Sequence, residues 1–310
     1  MAQDTFDDAL RVRTDEMKKI ITDTQSSAIT YIGRSAIGAS TGSALWQIQR
    51  RLTIGTQVTT DFAAGGLYNQ VWDDRNNSFP APSFFNVYST SFDGIDERVN
   101  FGNVFRYNTA DQWSISMWVR PNNFGAQRAF YSKATDDANV FGWVIYHNTS
   151  GNILVSFRAS GQSASYTGDQ TLNALAWNHL CMTYNGNQNM NGVRVYVNNV
   201  LDTTPGSKAV SNSILSGQDA MLGARNKGFF YSGYMDEVGI WNKALSAAEV
   251  SAIYNSGAPN DIRLLASAGN LQNYYRMGDG DSYPTILDNQ GTDNGNMVNM
   301  SAANFVTNVP

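Results

Sequence analysis

In the stretch QWSISMWVRP, Trp113, Ile115, Met117 and Val119 fall on alternate positions, the two-residue period of a strand with one buried face. Segments of the same kind recur from residue 84 onward: YSTSFDGIDERVNFG, QRAFYSKA, GWVIYHN, NILVSFRAS, WNHLCMTYNG, GVRVYVNNVLDTT, DAMLGARN and GYMDEVGIWN, separated by turns rich in Gly and Asn. Closely spaced strands with tight turns predict an all-β chain folded as an antiparallel sandwich, barrel or jelly roll. The pattern breaks straight after GYMDEVGIWN. Ser246 and Glu249 have the spacing of a capping box, in which hydroxyl and carboxylate each take the other's backbone N–H. Leu245 and Val250 can staple across that cap, and Ile253 and Tyr254 continue the apolar face. Gly257 and Pro259 supply a stop. One short helix is predicted over 247–255. At that length it is not stable alone in water, so it is expected to dock over an open edge or end of the sandwich.

Both flanks differ from this core. Residues 1–25 carry acids early and Lys-Lys late, with loose helical spacing of apolar positions. Residues 26–80 return to short β-branched and aromatic runs such as SSAITYIGRSAIG and ALWQIQRRLTI. About 55 residues make a marginal independent core, so this segment is expected to rest on a partner chain or on the main domain. NNSFPAPS (76–83) reads as a linker. Beyond residue 260, NYYRMG predicts one more strand, and the turn-rich remainder is expected to pack against the sandwich. The expected division is thus 1–80, 81–260 and 261–310.

Composition narrows the function. The 310 residues are 42% hydrophobic and 12% aromatic but only 15% charged, and Gly outnumbers Lys plus Arg, 27 to 21. That suits many tight turns and a surface made polar by amides and hydroxyls. A formal net charge of −5 without a basic block argues against nucleic-acid binding. The lone Cys181 excludes an intrachain disulfide framework. The opening MAQDTFDDAL has acids where a secretory signal needs positive charge and then an apolar run. No apolar stretch approaches the ~18 residues of a membrane span. A soluble chain made in the cytosol, without membrane insertion, is expected.

Candidate chemistry is sparse. GDGD (278–281) lacks the Lys and following helix of a phosphate loop and reads as a turn. His179 shares a strand face with Trp177 and Cys181, so it is expected to be packed and hydrogen-bonded, and Cys181 to be a small buried hydrophobe. His147 ends a strand near a turn. In DEV, Asp236 and Glu237 are expected on opposite strand faces. The better lead is aromatic. Trp143, Tyr146, Phe229, Phe230 and Tyr231 lie close to loops, where rings stack on sugars or fill a partner's pocket. The Asn- and Gly-rich loops YNGNQNMNG and DNQGTDNGN can supply amide hydrogen bonds to sugars or simply satisfy their own turns.

The series SFDGIDERVNFG, WSISMWVRP, AWNHLCMTYNG, VRVYVNN and above all MDEVGIWNKALSAAEVSAIYNSG resembles the laminin-G-like, concanavalin-A-like lectin family over about residues 86–257. The resemblance implies a jelly roll of two packed antiparallel sheets, one concave. It also implies a Ca²⁺ held between the Asp-Gly turn and the Asp-Glu pair, here Asp93 and Asp236. The Glu-x-Asp-x-x-Glu arrangement of the family's glucanases is absent from this sequence, so catalysis is not expected. The flanks YIGRSAIGASTGSALWQIQRR…VWDDR and YYRMGDGDSYPTILDNQGTDNGNMVNM look like modules of tailed-bacteriophage virion proteins. They imply a virion structural protein, in head decoration, tail or fibre, assembled in the host cytoplasm. On that reading residues 1–80 attach to other virion proteins, and the chain forms a homo-oligomer, with a trimer as the common form. The jelly roll would then face host-surface glycans. A stand-alone Ca²⁺-assisted carbohydrate-binding module and a polysaccharide-acting enzyme are the alternatives.

Overall fold

The structure is a computed structural model that describes residues 84–135, 141–203, 206–226 and 228–310. The expectations for residues 1–80 and for the linker therefore lie outside the described residues. The strands are β1 (Ser89–Asp93), β2 (Arg98–Asn100), β3 (Trp113–Pro121), β4 (Arg128–Ala134), β5 (Gly142–His147), β6 (Asn152–Ala159), β7 (Gln162–Thr171) and β8 (Asn178–Tyr184). They continue as β9 (Val193–Val197), β10 (Val200–Leu201), β11 (Met221–Leu222), β12 (Ser232–Trp241), β13 (Leu271–Tyr275), β14 (Thr285–Ile286), β15 (Gly295–Val298) and β16 (Phe305–Val306). They pair antiparallel into two sheets. The first runs β10-β9-β8-β3-β12-β1-β16 with β13 also on β12, and the second β14-β15-β2-β11-β4-β5-β6-β7.

This is the expected all-β jelly-roll sandwich, and its core lies where the alternation predicts. Trp113, Ile115, Met117 and Val119 of β3 face Tyr131, Trp143, Ile145 and Phe157 of the second sheet in one buried cluster. Trp113 stacks on Tyr107 at 5.5 Å and meets Trp143 at 5.0 Å. Each such ring buries a large apolar area, the main favourable term in folding.

The helix α1 (Ala247–Tyr254) begins at the predicted cap, with Ser246 Oγ accepting from Glu249 N and the Glu249 carboxylate accepting from Ser246 N. Two details differ from expectation. Asn255, not Gly257, is the left-handed C-cap, at φ 47°. The helix also does not cover an edge or end. It lies on the outer face of the first sheet, where Leu245, Val250 and Ile253 pack with Cys181, Tyr196, Trp241 and Tyr274. The physical reason is that this outer face carries large apolar side chains that water would otherwise wet. Gly239 leaves room for the Trp241 ring, since a Cβ there would come within 2.6 Å of both Trp241 Cη2 and Ile262 Cδ1. The segment after residue 260 goes further than packing on the sandwich. Its strands join both sheets, β13 on β12, β16 on β1 and β15 on β2.

Candidate functional site

The outer face of the second sheet has no helix over it among the described residues. Along β5, Trp143 and Ile145 point inward, so Val144 and Tyr146 point outward. Ala129 lies opposite Tyr146, and Arg158 of β6 opposite Gly142. A tight loop borders this surface. Arg225 and Gly228 exchange backbone hydrogen bonds of 2.9 and 3.0 Å, with Asn226 at φ 48° between them. Phe229 follows at φ 55°, a left-handed conformation that is uncommon for an aromatic residue. It is held because Ala129 N donates to Phe229 O at 2.7 Å. Arg128 Nη1 donates to Phe230 O at 2.6 Å and to Gly94 O at 3.1 Å, tying the loop to the Asp-Gly turn.

The result is a cleft of about 150 Å³. Its floor is Ala129 and Val144, its aromatic walls are Tyr146 and Phe229, and its polar groups are Gln127, Arg158 and Arg225. The Arg225 guanidinium carbon sits 4.1 Å from the Phe229 ring centroid, a cation–π contact that fixes both. Burial raises the Tyr146 hydroxyl pKa, and the charges of Arg158 and Arg225 oppose that shift, which puts both arginines in electrostatic reach of it. The described lining residues include no Asp, Glu, His, Ser or Cys. The cleft can stack an apolar ring face and donate hydrogen bonds, and its described lining residues supply no carboxylate or imidazole for acid–base chemistry.

Of the aromatic candidates, the fold brings Tyr146 and Phe229 together. Trp143 and Tyr231 are corrected to core residues, 1% and 0% exposed. Strand alternation turns Trp143 inward against Trp113, and Tyr231 packs on Phe130 at 5.2 Å. Phe230 is half-buried beside the cleft without lining it. The sequence reading missed Gln127, Arg158 and Arg225. Arg158 had a readable signal, because inward Ile153, Val155 and Phe157 leave Leu154, Ser156 and Arg158 outward.

The two aspartates do not converge. Asp93 lies opposite Ser232 on β12, four residues short of Asp236, or about 13 Å at the rise of a strand. Asp93 is exposed, and its Oδ1 takes the Ile95 N–H of its own turn at 2.8 Å. Asp236 is fully buried, with Oδ2 accepting from Asn86 Nδ2 at 2.8 Å and Oδ1 from Glu237 N at 2.9 Å. A shared Ca²⁺, which wants six to eight oxygens, does not fit this pair. No group of three or more His, Cys, Asp and Glu among the described residues is placed to hold a metal ion.

A bulge in β12 between Asp236 and Gly239 puts Glu237 at φ 48° and breaks the alternation, so the expected opposite-face arrangement does not hold as drawn. Glu237 accepts from Tyr274 OH and pairs with Arg276 Nε at 3.3 Å. Burial pushes the Glu237 carboxyl up to about 7 against the pull of Arg276 and Tyr274. Burial, then the neighbouring Glu237, pushes Asp236 well above the carboxylate range. Such shifts are typical of catalytic acids. Here all four oxygens already accept bonds from the protein, and the network fastens the domain's first residues: Arg276 donates to Phe85 O, and Asp279 accepts from Val87 N at 2.9 Å. The arrangement is a structural latch.

The remaining candidates are structural. His179 Nε2 meets Ser116 Oγ at 2.7 Å, and burial drives its pKa down to about 3. Cys181 is buried and its thiol is pushed up by desolvation. GDGD is a turn in which Asp281 accepts from Gly278 N at 2.7 Å and Leu287 N at 2.8 Å. Asp288 accepts from Gly291 N in its own loop and from Asn273 Nδ2 and Tyr274 N of β13, and the asparagines 185–191 mostly bind backbone and amides of their own loop.

Two face-packed antiparallel sheets, with an aromatic-walled cleft on an outer face that no described helix covers, define a lectin-like sandwich. The sequence matches the model of the concanavalin A-like lectin/glucanases superfamily over residues 93–251, just over half of the chain, and the protein belongs to that family. A solved structure of a candidate carbohydrate binding protein from Bacteroides ovatus is similar at TM-score 0.50 and 17% identity, covering 70% of this chain and 59% of that one. The chain thus spans about three-fifths of that relative's length. The native heptameric SAP-like pentraxin of Limulus polyphemus is similar at TM-score 0.44 and 15% identity, covering 69% of this chain and 97% of that one. At these identities the likeness is one of fold. A sequence comparison with curated proteins finds no match.

Proposed function

We propose that this chain is a virion structural protein of a tailed phage whose sandwich binds host-surface glycans without cleaving them. The observation that carries the glycan reading is the cleft of Tyr146, Phe229, Gln127, Arg158 and Arg225 on a sheet face that no described helix covers. Aromatic faces stack on the C–H face of a sugar ring while side-chain donors take its hydroxyls. Membership of a lectin and glucanase family agrees with it, as does the fold likeness to the candidate carbohydrate binding protein of Bacteroides ovatus. The absence of an acid–base pair from the described cleft lining favours binding over hydrolysis. The virion context rests on the resemblance of the two flanking stretches. There residues 1–80 would attach to other virion proteins, and repeated copies, as in a homo-oligomer, would turn weak single-site contacts into avidity.

Two measurements test this. In a titration of the protein with a glycan panel, binding is expected to weaken on Tyr146→Ala and to be unchanged by a calcium chelator. Binding that ignores Tyr146→Ala, or that is abolished by chelator, overturns the site. Antibody labelling of purified particles is expected to find the protein on them. Its absence there returns the chain to a stand-alone module.

A further inference from the structure

We infer that Arg128 is the positioning residue that sets the aromatic wall of the cleft, so that glycan affinity answers to the distant Asp93–Gly94 turn; this rests on the glycan reading above. Arg128 is not among the described lining residues, so it acts through another group. That group is Phe229. Its backbone stands at φ 55°, close behind Asn226 at φ 48°. Bulky residues avoid this conformation, and it persists only where the surroundings over-determine it. A loop with two such residues relaxes once released, and the Phe229 ring turns with its backbone.

The holding bonds can be named. Ala129 N donates to Phe229 O at 2.7 Å, and Tyr231 N to Gly223 O at 2.8 Å. Between them the Phe230 carbonyl takes a side-chain bond from Arg128 Nη1 at 2.6 Å. Phe230 O and Tyr231 N belong to one planar peptide group, so that group is fixed at both edges. The same Nη1 donates to Gly94 O at 3.1 Å. One nitrogen thus joins the loop before β12 to the turn after β1. Bonds from a charged donor are roughly twice as strong as neutral ones, so the position of Phe230 O follows that of Gly94 O.

The turn is a firm anchor. Asp93 Oδ1 accepts from Ile95 N at 2.8 Å, and Glu97 Oε2 accepts from Asp93 N at 2.7 Å. Gly94 holds φ +80°, and a Cβ there would come within 2.5 Å of Arg128 Nη1 and 2.8 Å of Ser232 Cβ. Only a glycine lets the guanidinium approach this closely. At its other end Arg128 sits opposite His147 on β5, whose ring packs on Phe124 and Phe130 at 5.2 and 5.4 Å. The next residue, Ala129, is already the cleft floor. Arg128 therefore fixes the backbone of Phe229, and Arg225 its ring. A wall set before the sugar arrives loses less entropy on binding.

The test is calorimetric titration of the full chain with lactose, 3′-sialyllactose, triacetylchitotriose and trigalacturonate, following whichever binds wild type most tightly. Arg128→Met keeps the stem and removes the donors, and it is expected to weaken binding about tenfold. Arg128→Lys keeps a cationic donor and should recover most of that loss. Gly94→Ala should weaken binding from the side of the turn. In a Phe229→Ala background the Arg128→Met step should shrink to about twofold or less, because no ring is left to position. Should Arg128→Met melt early, Gly94→Ala in the two backgrounds decides, since it leaves the Arg128 side chain in place. Binding that falls on Tyr146→Ala but ignores Arg128→Met and Gly94→Ala overturns the positioning role and leaves the glycan reading standing. A loss on Arg128→Met that is undiminished without the Phe229 ring also overturns it. No binding of any of the four probes by wild type removes both.

Discussion

The two sheets of this sandwich have the same kind of inner face and very different outer faces. The outer face of the first carries Trp118, His179, Cys181, Tyr196, Trp241 and Tyr274 and is roofed by α1 and the turns after it, with Tyr254 stacked on Trp118 at 6.0 Å. The outer face of the second carries Ala129, Val144, Tyr146 and Arg158, with no described helix above it. The difference lies in side-chain size. Large apolar groups on an outer face must be covered, and covering them uses the face up. Small apolar groups such as Ala129 and Val144, flanked by a tyrosine and an arginine, are buried with no described helix above them, which leaves the cleft beside them free for a ligand. The short helix therefore explains which face is open as much as which is closed.

The strongest way to break this comparison is to empty the covered face. Trp241 is fully buried between sheet and helix, and Trp241→Ala is expected to destabilise the domain by about 3–5 kcal/mol. The matching change on the open face, Val144→Ala, removes two methyl groups from a small cluster and should cost about 1 kcal/mol. Urea unfolding of both variants checks the contrast. Similar losses for the two would mean that the second sheet's outer face is also a covered core.

The acidic latch provides a pH test of the covered side. Burial raises the folded pKa of Glu237 from the ordinary carboxyl value of 4.5 to about 7. A raised carboxyl binds its proton more tightly in the folded state, so its contribution is complete below about pH 4.5 and is lost as pH rises through 7. The full swing is on the order of 3 kcal/mol. Buried Asp236 has the same sign. Buried His179, driven down to about 3, has the opposite sign: its contribution is present above about pH 6.5 and is lost as pH falls. Stability measured by denaturant between pH 4.5 and 8.5 should decline on the alkaline side, and Glu237→Gln should flatten that decline. An unchanged slope in Glu237→Gln would show that Glu237 is not the group responsible.

How much of this was legible in the sequence depends on the range of the interaction. Strand alternation and the capping box are local, so the inner face of β3 and the start of α1 could be read directly. The placement of α1 was not local. It depends on Cys181, Tyr196 and Tyr274, brought beneath it by pairing across β8, β9, β12 and β13. The site was legible only in part. Tyr146 and Phe229 could be picked out as aromatics near turns, but so could Trp143 and Tyr231, and only strand parity, together with the hydrogen bonds that fix the loop, separates the two sets. Arg158 and Arg225 meet through tertiary structure alone. The Asp93–Asp236 pairing failed because it needed the register of β1 on β12, which sets Asp93 opposite Ser232.

The smallest expected effect tests the helix itself. Ser246 caps α1 and receives the Glu249 N–H at 3.3 Å, while Lys243 pairs with Glu249 at 2.7 Å. Ser246→Ala removes one cap hydrogen bond and the hydroxyl's share of the box, a loss of about 1 kcal/mol. Because the helix roofs the first sheet and not the second, this loss should appear as faster amide exchange along α1 and at Cys181 and Tyr196. Sugar binding at Tyr146 and Phe229 should be unchanged. If Ser246→Ala weakened binding as well, the two outer faces would be coupled through the core, and treating one as structural and the other as functional would no longer hold.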